Sequence, residues 1–189
     1  MALTTEFPSF PQQLTRLPFS RHDCLPSRPD LLWSLEWGIV RTLTWNEEGT
    51  IITLGYWGRG DVVGQPLSGV YPYQIECLTS VEASAVPVKQ WPLFLDGILA
   101  HSQATEELYS IVRSERVYNR LDKLLIWLGN KFGRSVPQGI LIDLRLTHQN
   151  LAELIGTTRV TVTKLLKELE EEEKILRQQR HYIILRREQ

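Results

Sequence analysis

The sequence predicts an α+β protein with an antiparallel β-barrel first, a long helix next, and a compact C-terminal unit of short helices closed by a strand hairpin. Three observations carry this. Seven of the twelve glycines lie between Gly38 and Gly69, among short β-branched and aromatic runs, as strands joined by tight turns require. From Leu93 to Arg116 no proline occurs, and Phe94, Ile98, His101, Thr105, Leu108 and Val112 recur at spacings of four and three. From Thr147 to Leu169 two amphipathic segments flank Gly156, and two short apolar runs follow.

Residues 1–92 form the first expected unit, a β-barrel behind an irregular lead-in. Pro8, Pro11, Pro18, Pro26 and Pro29 prevent a long helix and favour extended chain at the start. Turn signals at Asn46–Gly49 and Gly58–Asp61 bracket a strand over Thr50 to Trp57, and the β region closes near Pro87. Trp33, Trp37, Trp45, Trp57 and Trp91 concentrate here and read as core packing rather than as the lining of a ligand cavity. Residues 93–116 make a helix whose seam of Phe94, Ile98, His101, Thr105, Leu108 and Val112 resembles a dimer contact. His101 and Thr105 interrupt that seam, either to set register or to face an effector. A second helix over Val117 to Lys131, with Leu121, Leu124, Leu125 and Leu128 on one face, opens the last unit, residues 117–189.

In that unit Leu151, Ala152 and Ile155 pattern a short helix that halts at Gly156, and Thr157 or Thr158 can cap the next one. Val162, Leu165, Leu166 and Leu169 then face inward, leaving Arg159, Val160, Thr163, Lys164 and Lys167 outward. Arginine can donate two hydrogen bonds to guanine, valine can touch a thymine methyl, and threonine or lysine can hold phosphates. Ile175–Arg177 and Tyr182–Leu185 flank a polar turn at Gln178–His181, a hairpin wing whose Arg177, Arg180 and His181 could meet phosphates. The whole is a winged helix-turn-helix, with Thr147, His148, Thr158, Arg159, Val160, Thr161, Thr163, Lys164, Lys167 and Arg180 as the expected DNA contacts. The competing reading is a winged helix that binds protein instead.

The balance of 21 basic against 22 acidic residues announces no nucleic-acid partner in bulk, so a DNA surface must be local. Two distant cysteines, Cys24 and Cys77, exclude a disulfide scaffold and fit a reducing compartment. With no basic-then-apolar start and no run of about 18 apolar residues, a cytoplasmic protein without membrane contact is expected. The acidic run Glu170–Glu173 reads as a solvated helix end. No phosphate-cradling glycine loop, metal spacing or nucleophile elbow stands in a convincing context, so neither an enzyme nor a metal site is expected.

The segment Leu146–Leu166, through Leu151-Ala152-Glu153-Leu154-Ile155-Gly156-Thr157-Thr158-Arg159-Val160-Thr161-Val162-Thr163, closely resembles the DNA-binding domain of the cyclic-AMP receptor protein and fumarate–nitrate regulator superfamily. It is most similar to the cyanobacterial nitrogen-control branch, and the likeness extends back through Arg120–Leu125 and, more weakly, Gly60–Gly64. The resemblance implies a cupin-like, cyclic-nucleotide-binding-domain-like barrel, a dimerising helix, and two recognition helices reading a palindrome of GTA and TAC half-sites, with RNA polymerase as a further partner. Half-sites would then lie roughly 34 Å apart. It also implies 2-oxoglutarate as an effector, with Gly64, Gln65, His101 and Thr105 as the effector residues. His101 stands where that branch carries an arginine. Cyclic AMP is not expected: Gln65 replaces the glutamate of the nucleotide cassette, and no Lys or Arg occurs between Arg59 and Lys89 to pair a buried phosphate. An iron–sulfur cluster needs four cysteine ligands, which the chain lacks, and no cofactor is expected.

Overall fold

The computed structural model describes residues 14–178 and 182–186. Its first half is eight antiparallel strands: β1 (Arg16–Phe19), β2 (Cys24–Leu25), β3 (Leu31–Trp37), β4 (Val40–Trp45), β5 (Ile51–Trp57), β6 (Val62–Val63), β7 (Gln74–Cys77) and β8 (Val81–Pro87). They form two four-stranded sheets, ordered β1-β8-β3-β6 and β2-β7-β4-β5. The expected barrel is therefore an open one, two sheets meeting through side chains without a closing ladder among the described residues. Trp33, Leu35, Val63, Val81 and Ala83 from one sheet meet Leu25, Val40, Trp57, Ile75 and Cys77 from the other in one apolar cluster. The Trp33 indole donates to the Pro26 carbonyl (2.9 Å) and the Trp57 indole to the Thr42 hydroxyl (3.0 Å), so both rings are buried with their N–H groups satisfied. Trp37 and Trp45 instead stand exposed, against the expectation that all five tryptophans fill the core.

A 3-10 turn over Val88–Phe94 leads into α1 (Leu95–Val112), and α2 (Val117–Phe132) returns beside it. The repeat from Phe94 to Val112 faces largely inward. Phe94 and Ile98 pack on Leu32, Val62 and Val86, while Leu108 is buried with the leucines of α2. His101 stacks on Trp57 with ring centres 3.9 Å apart, and its Nδ1–H donates to the Val62 carbonyl at 3.0 Å. Only Thr105 of that series is fully exposed. A four–three spacing marks any helix face that must be covered, whether by its own chain or by another, and here the chain covers most of it. The adjacent face is the open one: Leu95, Leu99 and Tyr109 are each more than half exposed.

Beyond α2 come β9 (Gly133–Val136) and β10 (Gly139–Ile142), a hairpin the sequence did not signal, then α3 (His148–Ile155), α4 (Arg159–Glu171), β11 (Ile175–Gln178) and β12 (Tyr182–Leu185). The last four strands make one antiparallel sheet ordered β11-β12-β10-β9. Leu121, Leu124, Leu125 and Leu128 of α2, Leu151 and Ile155 of α3, and Val162, Leu166 and Leu169 of α4 share one core with Tyr56 of β5. The C-terminal unit and the β-sheets are thus packed on each other rather than tethered.

Polar contacts reinforce that packing. Arg41 of β4 extends between Glu76 of β7 (2.8 Å) and Glu153 of α3 (3.0 Å), with all three side chains largely buried. Lys131 at the end of α2 pairs with Asp61 of the β5–β6 turn at 2.9 Å. Removing one member of a buried pair leaves its partner's charge without compensation. Arg41→Leu strands two carboxylates at once and is expected to lower stability by roughly 3–5 kcal/mol in urea unfolding, whereas Glu153→Gln, which leaves Arg41 its Glu76 partner, costs clearly less. Equal losses for the two variants would contradict this account of Arg41.

Candidate nucleic-acid interface

The reading unit is built from the residues at three helix ends. Thr147 caps α3: its hydroxyl accepts from the Asn150 amide (3.1 Å), while the Asn150 side chain accepts from the Thr147 amide (3.1 Å), a reciprocal capping box. Gly156 ends α3 in the left-handed region (φ 66°, ψ 52°), which a residue with a side chain adopts only at a cost. Thr158 then caps α4 by accepting from the Thr161 amide at 3.1 Å. Arg120 of α2 reaches across to the Ile155 carbonyl at 3.3 Å, satisfying the C-terminal end of α3. Of these, the Thr147–Asn150 box and the Arg120 contact were missed from sequence; Thr147 followed three positions later by Asn150 was a readable signal for the first.

On the outer side of α4, Thr158, Arg159, Val160, Thr163, Lys164 and Lys167 are exposed, and Thr161 is half-buried. Val160 is 65% exposed, an apolar side chain left in solvent at the start of a helix. Among the described residues Arg159 and Lys164 make no ion pair, and Lys167 makes one exposed pair with Glu171 at 3.3 Å. Such a pair contributes little and yields readily to a competing anion. The structure thus brings the expected side chains of α4 to one surface. Three of their hydroxyls are already engaged. Thr163 donates to the Arg159 carbonyl (2.9 Å) and meets His148 Nδ1 (2.7 Å), tying α4 to α3, and Thr161 bonds the Thr158 hydroxyl at 2.9 Å.

The expected phosphate contacts of the wing divide. Arg180 and His181 lie outside the described residues. Arg177 is tied to Glu170 by a charge-assisted hydrogen bond of 2.8 Å, and that carboxyl is held below its ordinary pKa by the arginine. The acidic run is not merely solvated: Glu171, Glu172 and Glu173 pair with Lys167, Lys174 and Arg186.

Of the expected effector residues, His101 and Thr105 have polar groups engaged within the chain, and Gly64 is closely packed. A side chain at Gly64 would meet Leu32 Cδ2 at 2.7 Å and the Leu31 carbonyl at 2.8 Å, so the backbone there is closely packed. The His101 imidazole is stacked and hydrogen-bonded as described, and the Thr105 hydroxyl turns back to the His101 carbonyl at 2.8 Å. Gln65 is half-buried at the start of a 3-10 turn, Gln65–Leu67. No group of three or more potential metal ligands occurs among the described residues.

An outward reading helix braced by a second helix, a wing sheet, and a β-sandwich in front define a winged helix-turn-helix regulator. Residues 119–189 match the Crp-like helix-turn-helix domain. The chain is 42% identical to the Regulatory protein CysR of Synechococcus elongatus over 172 residues, 89% of this chain and 83% of that protein. It is 36% identical to the Global nitrogen regulator of Synechocystis over 110 residues, 52% of this chain and 49% of the relative. Among solved structures, a CRP/FNR-family regulator of Thermus thermophilus superposes with a TM-score of 0.73 at 27% identity, over 90% of this chain and 93% of that one. A second CRP-family regulator of the same organism gives 0.76 at 21% identity, covering 90% and 92%. The chain belongs to the Crp/FNR family, within reach of its cyanobacterial branch, and it is a DNA-binding transcription regulator.

Burial pushes the His101 pKa below its ordinary value, ahead of the opposing Val62 carbonyl and Asp61 contributions, and Lys131 adds to the depression. A base whose folded pKa is depressed favours the folded state above the unfolded value, about 6.5, and that stability is lost as pH falls through the folded value. Acidification from about pH 7 to about pH 5 is therefore expected to lower the urea midpoint, and His101→Gln to flatten the decline; parallel curves for the two proteins would rule out His101 as the titrating group.

Proposed function

We propose that the protein is a homodimer that reads a palindrome by placing α4 of each protomer in the major groove. The observation that carries this reading is the pairing, at the exposed start of α4, of an arginine without an ion-pair partner among the described residues and a solvent-facing valine. In this reading Arg159 donates to guanine O6 and N7, Val160 meets the neighbouring thymine methyl, and Lys164, Thr158 and Thr161 anchor phosphates. Thr147, His148, Lys167 and Arg180 flank them on the DNA backbone. Thr163 lies beside them and tunes the neighbouring bases, its hydroxyl also tying α4 to α3 through the Arg159 carbonyl and His148.

Residues 1–92 act as the effector-like unit, 93–116 as the dimerising segment and 117–189 as the reader. The face of α1 supported as the dimer contact is Leu95, Leu99 and Tyr109, because Phe94, Ile98, His101 and Leu108 are taken up by their own chain. The protein works in the cytoplasm, engages RNA polymerase, and does not respond to cyclic AMP. The effector to try is 2-oxoglutarate, which the nitrogen-regulator resemblance suggests and which would have to displace His101 from Trp57.

The test is a binding titration at fixed salt against a GTA/TAC palindrome and a scrambled duplex, each with and without 2-oxoglutarate. Preference for the palindrome supports the reading. No preference in any condition favours a protein-binding winged helix. Arg159→Ala is expected to cost about 1–3 kcal/mol of discrimination at one base pair per half-site, seen as weaker binding to the palindrome with little change on random DNA. Equal loss on both duplexes would make Arg159 a phosphate contact instead.

A further inference from the structure

A cleft of about 580 Å³ lies where three turns of the β-sheets meet the end of α2 and the segment after β10. That volume falls within the ordinary range for small-molecule sites. The residues proposed above as DNA, dimer or effector contacts do not line it. Its walls include the indole of Trp37 and the ring of Phe132, and the Trp37 residue is 64% exposed at the cleft. Trp37, at the end of β3, is the most exposed tryptophan of the chain and offers its indole face to whatever enters the cleft.

The four charged residues of the lining, Arg59, Asp61, Lys131 and Asp143, balance in number but not in pairing. Lys131 is paired with Asp61 at 2.9 Å, and Asp143 with Arg134 at 3.4 Å, which leaves Arg59 without an ion pair among the described residues. Aromatic walls and one unmatched guanidinium together select a ligand with a flat apolar body and a single anionic group. We propose that this cleft binds a small aromatic carboxylate or sulfonate, its ring against Trp37 and Phe132 and its anionic group on Arg59. Because Trp37, Arg59 and Asp61 belong to the β-sheets while Lys131, Phe132 and Asp143 belong to the C-terminal unit, one such molecule touches both units at once.

The probe is 1-anilinonaphthalene-8-sulfonate, compared with N-phenyl-1-naphthylamine, which has the same rings without the sulfonate. The expected result is a saturable fluorescence rise with the sulfonate at one site per chain, tenfold or more weaker in Arg59→Gln and in Trp37→Ala, and unchanged in Arg21→Gln. The uncharged compound should bind tenfold or more weaker than the sulfonate. Both Arg59 and Trp37 are exposed, so circular dichroism and the thermal midpoint should confirm that the variants fold as the parent does. Non-saturating binding, equal binding of the two probes, or Arg59→Gln binding like the parent would each overturn the proposal. None of these readouts involves DNA, so its failure is separable from failure of the regulator reading.

Discussion

One guanidinium fixes how the reading helices sit on the β-sheets. Arg41 is nine-tenths buried at the side chain, and a buried cation requires close, well-oriented anions. One of those anions, Glu76, comes from the neighbouring strand; the other, Glu153, comes from the first helix of the reader. Apolar packing around Tyr56 could tolerate small sliding of one unit on the other, because dispersion and area burial are weakly directional. A fork of hydrogen bonds between planar groups tolerates far less. The shared core therefore supplies adhesion, and Arg41 supplies register.

The helix connecting the two halves illustrates how one pattern can serve more than one partner. Its four–three repeat was legible, and it does mark a covered face. Periodicity reports only that a face must be shielded, and nothing in residue spacing says whether Leu32 and Val62 or a second protomer provides the shield. His101 fits the same logic. A polar residue inside an apolar repeat suggests a special role, yet its needs are met by an indole face and one carbonyl of the chain itself.

Elsewhere the sequence was informative wherever local chemistry decides the structure. Gly156, the capping threonines Thr147 and Thr158, and the leucine stripe of α2 act through neighbours a few residues away, and each was readable. The Gly58–Asp61 turn was too, its Asp61 carboxylate accepting from the Gly58 amide at 2.7 Å. What escaped depends on distant partners. β1 and β2 arise in a proline-rich stretch only because β8 and β7 offer them free edges. The β9–β10 hairpin completes a sheet whose other strands follow only after both reader helices. Arg41 and Glu153 are 112 positions apart. In the proposed DNA surface, side-chain direction was predictable from the helix period, while the commitment of the Thr163 hydroxyl to His148 required the three-dimensional contact.

The acidic end of α4 has a consequence for the approach to DNA. Carboxylates at a helix C-terminus oppose the helix dipole, and here Lys174, Arg177 and Arg186 from the following segment offset them. The cations Arg159, Lys164 and Lys167 remain on the earlier part of the helix, in a chain whose net charge is −1. Such a molecule carries almost no monopole, and the cations of its reading helix without an ion pair among the described residues, Arg159 and Lys164, lie in its first half. On the proposed reading, the field of a phosphate backbone would pull the whole molecule in only weakly, and attraction would arise at close range, where the start of that helix meets the groove.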